Sequence, residues 1–459
     1  MKTLLHLAAA SLVTLQGASA LAAVSVDEAR QLGTTLTAFG AEKAGSADGV
    51  IPEYTGGLTK PPADFVPNSG KWPDPFKGEK STFSITSANM SQYAERLTPG
   101  VQALLKRFPD YRIDVYPTHR TMHYSQWVLD NIQKNATGAT LTGKVEGDGV
   151  EGAVGGIPFP IPKNGYEVMW NALMNYQRAE YSAKNMGAFL VDTSGARTEL
   201  PILNVIEYRP FYDQSVSNGK NKGPYDRLWV QNQTPPTLAG QTALVDYSSN
   251  YSDTDQVTWA YFPAQRRTRM APDYKYDTPA AGYGGVVFWD EASIFRGRMD
   301  RFDFKLLGKK EMFIPYNNYK LKQLAVDELF GPQHTKPDAI RWERHRVWVV
   351  EATLKADARH AYSKRVFYVD EDSWAFSESD GYGQDGKLWR VGIGYPFNYY
   401  DEGGGVYAAT SVGFYDLQKG NYFVAGTASV NGPMEIRVAD KQEKPQLFTP
   451  AGMAGTGLR

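Results

Sequence analysis

From about residue 186 onward, apolar side chains recur at every second position, the repeat of a strand with one buried face. Candidate strands fall at 200–208, 225–232, 241–250, 256–263, 299–307, 345–354, 364–369, 373–379, 387–394, 405–414 and 421–428. Phe302, Phe304 and Leu306 alternate with Arg301, Asp303 and Lys305, and Asp370-Glu-Asp372 is short enough to join two runs as a hairpin. Most runs are not separated by a helical pattern long enough for a parallel crossover, so the sheet is expected to be largely antiparallel. The fold class that follows is α+β, one large twisted sheet with helices on one side.

The stretch Asp255–Arg269 shows the pattern most sharply. Val257, Trp259 and Tyr261 point one way on an extended chain, and Thr258, Ala260 and Phe262 the other; either set can face the interior. Pro263 interrupts the ladder, and Arg266, Arg267 and Arg269 follow as a basic tail. Such a tail is either a solvated strand end or a contact for an anionic head group or an acidic partner.

The N-terminus begins with Lys2, an apolar run from Leu4 to Leu15 and the small residues Ala18-Ser-Ala-Leu-Ala22. This is the pattern of a secretory signal peptide, with cleavage after Ala20 or Ala22. The run is too short to span a bilayer, so residues 1–22 are expected to be removed and the mature protein to be exported and soluble. Residues 23–80, rich in Gly and Pro, read as a short helix near Val26 to Leu36 and then an extended arm wrapping the main body. The body is expected over 81–440, helical to about 185 and sheet from about 186, with a tail at 441–459.

Helical patterns cover 86–96, 98–107 (opened by Thr98-Pro99) and 124–135, where Trp127, Val128 and Ile132 share a face. A Gly- and Pro-rich loop over 138–165 ends in Asn164-Gly-Tyr-Glu167, a capping signal. The helix it opens carries Tyr166, Met169, Trp170, Leu173 and Met174 on one face, either a core stripe or a lid over a lipophilic cavity.

Charge and motifs narrow the function classes. Net charge is -1, which gives no general attraction for nucleic acid. With no cysteine, the chain has no disulfide, thiol nucleophile or Cys-zinc site. Gly147-Asp-Gly-Val-Glu-Gly152 matches a dinucleotide fingerprint but runs into the proline-rich 155–162, which cannot be helix, so no cofactor is expected. His119 and His123 lack the glutamate of a zinc protease, and no metal site is expected. There is no G-x-S-x-G elbow. The carboxylate pairs Asp300/Asp303 and Asp370/Asp372 read as a solvated face and a turn, and no catalytic residue is assigned.

Trp259-Ala-Tyr-Phe-Pro-Ala-Gln-Arg-Arg-Thr-Arg269 resembles a strand of the bacterial outer-membrane lipoprotein-sorting proteins, and Phe367-Tyr-Val-Asp-Glu-Asp-Ser-Trp374 is similar to a later hairpin of that group. More closely, Ile51-Pro-Glu-Tyr-Thr-Gly-Gly57, Gly155–Gly165, Arg269–Pro279 and Gly308–Asn317 resemble the exported family called domain of unknown function 1329. The resemblance implies a LolA/LolB-like carrier: a strongly curved antiparallel sheet forming an incomplete barrel, helices covering its concave side, and a hydrophobic cavity between. It also implies partnership with a resistance-nodulation-division exporter and an outer-membrane protein in the periplasm of a Gram-negative bacterium. The chain is much longer than LolA, so its added material can fill the cavity, and it lacks the lipid-bearing cysteine of LolB. The function expected is a carrier or chaperone for a lipid or other lipophile. Its apolar contacts would come from Val257, Trp259, Tyr261, Phe262, Met169, Trp170 and Met174, and its head-group or partner contacts from Arg266, Arg267 and Arg269. The alternatives are an adaptor subunit without ligand, or an envelope glycan or lipid hydrolase using a carboxylate pair.

Overall fold

A computed structural model describes residues 24–217, 223–283, 285–401, 403–407 and 411–456; the expected signal peptide lies outside them. Their main element is a seventeen-stranded sheet. From one edge to the other it runs Arg267–Met270, Val257–Phe262, Thr242–Ser248, Pro224–Asn232, Leu203–Tyr208 and Glu180–Val191. It continues through Asn421–Thr427, Val412–Asp416, Leu388–Gly394, Phe376–Tyr382, Lys364–Asp370, Trp342–Leu354 and Phe302–Pro315. Every pairing in this series is antiparallel, and among the described residues the two edge strands do not pair, so the sheet curls without closing.

The bend is made in Glu180–Val191. Its first half pairs with Leu203–Tyr208 and Glu435–Ala439, its second with Asn421–Thr427 and Arg197–Glu199. Between them the register shifts from Ala183 to Met186, and Asn185 takes φ 56°, a left-handed conformation that asparagine tolerates better than most residues. A bulge of this kind bends a strand and sharpens its twist.

One face of the sheet gathers Val205, Leu228, Val245, Phe304, Phe367, Phe414 and Phe423, from strands far apart in the series, into one core; this is the concave face. Helix Gly165–Leu173, capped by Asn164 Oδ1 accepting from Glu167 N at 3.0 Å, is buried along its whole length against that face, with Val128 and Ile132 of helix Gln126–Gly138 beside it. Helix Pro99–Arg107 lies on the outer face instead, on Val391, Tyr422 and Val424. The pattern over 86–96 folds as 3-10 turns, Met90–Arg96, and the helix expected to Leu36 stops at Ala29, shortly before Gly33 with φ 80°.

Residues 24–80 are part of the core, which holds Phe39, Ala41 and Trp72. The turn after Lys364–Asp370 meets the arm: Asp370, Glu371 and Asp372, read from sequence as a hairpin turn, are all buried. They are covered because Arg120 grips Asp372 with two hydrogen bonds, of 2.6 and 2.9 Å, and donates to the arm carbonyls of Lys43 and Pro52. Lys309 bridges Glu371 at 2.8 Å and the arm's Glu42 at 3.0 Å. Trp374, fully buried at φ 56°, donates its indole N–H to Phe39 O at 3.1 Å.

Under helix Pro99–Arg107, Glu378 and Asp380 are buried without an ion pair among the described residues. Thr98 Oγ donates to Glu378 at 2.6 Å and Tyr368 Oη to Asp380 at 3.1 Å. Burial pushes Glu378 up to about 8 and Asp380 up to about 7. Because these pKa values exceed those of the unfolded chain, the folded state holds protons that the unfolded state releases. Their contribution is full below the ordinary carboxylate range and is lost as pH rises towards 8.

Two outcomes are expected. Stability measured by urea unfolding falls from pH 5 to pH 8, and Glu378→Gln flattens that slope, gaining about 1–3 kcal/mol at pH 8. Arg120→Ala, which strands Asp372 unpaired, costs about 3–5 kcal/mol, and limited proteolysis then cuts first within residues 40–55.

Candidate functional site

A cavity of about 620 Å³ opens where three connections converge at the rim of the sheet. The first is the arm, through Asp64 and Gly70 to Pro73. The second runs from Tyr319 to Val326 after the long strand Phe302–Pro315. The third is the turn from Ala428 to Met434, which leads into the strand holding Ile436. Trp72, Tyr319, Phe397, Met434 and Ile436 form buried walls, and Asp64, Lys71 and Gln323 stand exposed at the mouth. Gln323 Nε2 donates to Trp72 O at 3.1 Å, and the Trp72 ring packs 4.9 Å from Tyr399 and 5.8 Å from Phe397. Gly70 lets the arm cross here: at φ 72°, a Cβ on it would lie 2.1 Å from Ile436 O.

Two polar groups sit in this wall. The Lys322 stem borders the cavity while its ammonium is enclosed, donating to Gly426 O at 2.6 Å, Tyr407 Oη at 3.2 Å and Ser411 Oγ, 4.3 Å from the Tyr407 ring centre. Burial pushes that amine well below its usual range. The Trp72 indole nitrogen is buried with no hydrogen-bond partner.

A smaller recess, of about 110 Å³, lies against the strand singled out from sequence. Leu203, Leu228, Val230, Ala260, Phe262 and Tyr283 line it. The register decides which face of that strand is interior: Ala260 and Thr258 lie opposite Ala243 and Val245, so the set 258/260/262 faces the concave side. Trp259 and Tyr261 belong to a different core on the outer face, with Trp229, Leu244, Phe448 and Met453, under the C-terminal helix Pro450–Thr456. Tyr261 also borders the recess, and Val257 shares the outer alternation.

Met169, Trp170 and Met174 fill the concave face rather than bounding an opening there. Trp170 donates to Gly147 O at 2.9 Å and packs edge-on to Tyr225 at 5.7 Å. The seven apolar residues expected to form one lining therefore occupy separate environments. Arg266, Arg267 and Arg269 are exposed at the free edge of the sheet, with Arg269 5.8 Å from the Phe262 ring centre.

The remaining motifs resolve locally. Gly149–Glu151 pairs with Thr140–Thr142 as a two-stranded ribbon, and the next helix opens only at Gly165, too far along the chain to receive a pyrophosphate from this motif. His119 bonds Glu79 at 2.6 Å and His123 meets Asp401 O at 3.0 Å, so the two point to different partners, and no acidic or histidine group suited to a metal occurs among the described residues. Asp300 accepts from Tyr276 Oη, Asp303 is exposed, Asp372 is held by Arg120 and Asp370 by Ser373. A further pair, Glu207 and Asp226, is fully buried around Arg296 and Arg209, with Arg296 3.0 Å from Glu207 and 3.4 Å from Asp226. Burial and the Glu207 charge raise Asp226; Glu207, though burial pushes it up, is held low by Arg296 and Arg209. The void beside Arg209 and Arg296 is about 20 Å³, too small for a substrate.

None of the walls of the larger cavity was singled out from sequence. Trp72 lies 250 positions before Lys322, with Phe397 and Met434 further on, and the one local hint is an aromatic residue in the proline-rich Trp72-Pro-Asp-Pro-Phe76.

No described helix is long and apolar enough to cross a membrane. The chain is 38% identical over 463 residues to the uncharacterized protein PA3922 of Pseudomonas aeruginosa, covering 100% of this chain and 99% of that one. Among solved structures it is similar to a DUF1329 family protein of Desulfovibrio piger, with 13% identity, a TM-score of 0.40, and coverage of 63% of this chain and 97% of that one. It is also similar to a LolA superfamily protein of Nitrosomonas europaea, with 12% identity, a TM-score of 0.34, and coverage of 63% and 98%. At these scores the fold assignment stands on the chain's own open antiparallel sheet. The chain belongs to the family described as Protein of unknown function (DUF1329), whose model matches residues 84–454.

Proposed function

We propose that this protein is a periplasmic carrier or chaperone for a lipid or other lipophilic molecule, working beside a resistance-nodulation-division exporter and an outer-membrane protein. The observation that carries the reading is the cavity of about 620 Å³ walled by Trp72, Tyr319, Phe397, Met434 and Ile436. That volume lies within the ~300–1,000 Å³ usual for small-molecule sites, which are mostly apolar with a few placed polar groups. Each methylene buried there contributes about 0.8 kcal/mol, so an acyl chain binds usefully without elaborate polar recognition. The signal-peptide pattern before residue 23 supports an exported location.

The strand Val257–Phe262 takes a narrower part in this proposal. The recess at Ala260, Tyr261 and Phe262 has room for a chain end or a methyl branch. Arg266, Arg267 and Arg269, at the open edge, are proposed as the contact for a membrane-protein partner. A second reading, an adaptor that carries no ligand, is favoured by one observation: Met169, Trp170 and Met174 fill the concave face beneath their helix.

Native mass spectrometry with lipid extraction, on protein purified gently from the periplasm, separates the two. A carrier holds about one lipophile per chain, and Leu324→Glu, at the partly exposed lip of the cavity, abolishes retention without changing the thermal midpoint by more than a few degrees. Trp259→Glu, on the outer face, leaves retention intact in properly folded protein. Protein that stays empty after exposure to membrane extracts is the adaptor.

A further inference from the structure

Two donors at the larger cavity constrain what it can hold, the ammonium of the half-buried Lys322 and the indole N–H of the buried Trp72. Elsewhere in the interior a cation faces a carboxylate: Arg120 meets Asp372 at 2.6 Å, Arg209 meets Glu207 at 2.8 Å and Arg365 meets Asp290 at 3.0 Å. This is the ordinary state of a buried charge, because neutral dipoles seldom return what is lost on leaving water. Lys322 departs from the pattern. Its ammonium meets a phenol, a hydroxyl and a carbonyl, and it has no ion pair among the described residues. Trp72 is 7% exposed, and its N–H is unpartnered where such groups usually find an acceptor. One donor comes from the arm and one from the body, and both residues line the same cavity.

We propose that the cavity takes an amphiphile with a single carboxylate, its chain against Phe397, Leu324, Met434 and Ile436 and its head group between Lys322 Nζ and Trp72 Nε1. This rests on the carrier reading and names the ligand class within it. One ammonium offsets one negative charge, and two donors suit two carboxylate oxygens. A phosphate dianion would bring a second charge, and among the described residues the wall holds no second enclosed cation; Lys71 is exposed at the mouth, which it shares with Asp64. The three ammonium protons are already directed at neutral acceptors, so the carboxylate enters by replacing one of them. Ser411 Oγ is suited to yield, since it also reaches Gly426 O at 3.3 Å and can turn to it. An anion beside the amine would reverse the downward shift that burial imposes on it.

The test compares decanoic acid with 1-decanol, equal in chain length and different in charge, by titration calorimetry at pH 7 on the delipidated mature chain. The wild type is expected to bind decanoate about tenfold or more tightly than decanol. Lys322→Met brings decanoate down to the affinity of decanol while decanol binding is kept. Trp72→Phe, which keeps an aromatic wall, lowers decanoate affinity by a smaller factor. Equal affinities in the wild type, or a decanoate preference that survives Lys322→Met, overturn the head-group assignment and leave the carrier reading standing. Binding of neither compound overturns the carrier reading and this inference with it. Should Lys322→Met fail to fold, the acid-to-alcohol ratio in the wild type and in Trp72→Phe still decides.

Discussion

A curled sheet that does not close leaves a concave apolar face, and most of this chain's other structure answers that fact. The edge strands Arg267–Met270 and Phe302–Pro315 stay apart, so the interior cannot be sealed by hydrogen bonds between them. It is sealed by side chains and by connections. Helix Gly165–Leu173 lies across the concave face and is buried throughout, and helix Gln126–Gly138 packs beside it. Phe39 of the arm stacks on Tyr124 at 4.6 Å, closing another part. A closed barrel would have little use for so much covering chain.

The arm is held by buried polar contacts as well as by its apolar residues, which explains how a segment with a single helical turn can be part of the core. Arg120, Lys309 and Arg346 neutralise Glu371 and Asp372 and at the same time reach Glu42 and the arm carbonyls. Such contacts are directional, so they fix where the arm runs more sharply than apolar burial alone would. Among the described residues, Glu378 and Asp380 lack such partners, and burial raises both carboxyls towards neutral pH, which favours their uncharged forms.

Period two made the sheet legible in sequence, and it failed where the strands stop being regular. Glu180–Val191, the strand on which the sheet bends, was missed because the bulge between Ala183 and Met186 moves its apolar residues out of phase. Phe302–Pro315 was cut short at 307, where a shift between Leu306 and Gly308, with φ 106°, breaks the alternation. Trp259 and Tyr261 alternate correctly with Ala260 and Phe262, but alternation alone cannot say which face is interior when both are apolar. That was settled by residues 448–453 covering the outer face, a contact across nearly two hundred positions. The larger cavity left little more than Trp72 in a proline-rich stretch, since most of its walls come from connections that meet only in the folded chain.

Placing the cavity in connections rather than in the sheet has a physical consequence. The strands that fix the fold have their backbone groups paired across the ladder, and a substitution there disturbs several neighbours at once. The segments 70–73, 322–326 and 428–434 carry no long ladder, so side chains there that are not buried, such as Lys71, Gln323 and Leu324, can vary with little effect on the sheet. Gly70 is the exception among them. Its missing side chain allows the arm to lie against Ile436, and any larger residue would lift the arm from the cavity and open the space that Trp72 encloses. In the proposed carrier, ligand range is therefore adjustable through the partly exposed Leu324 with little effect on the fold. In that proposal, admission to the cavity depends on how closely the arm lies on the strand Glu435–Ala439, which Gly70 sets.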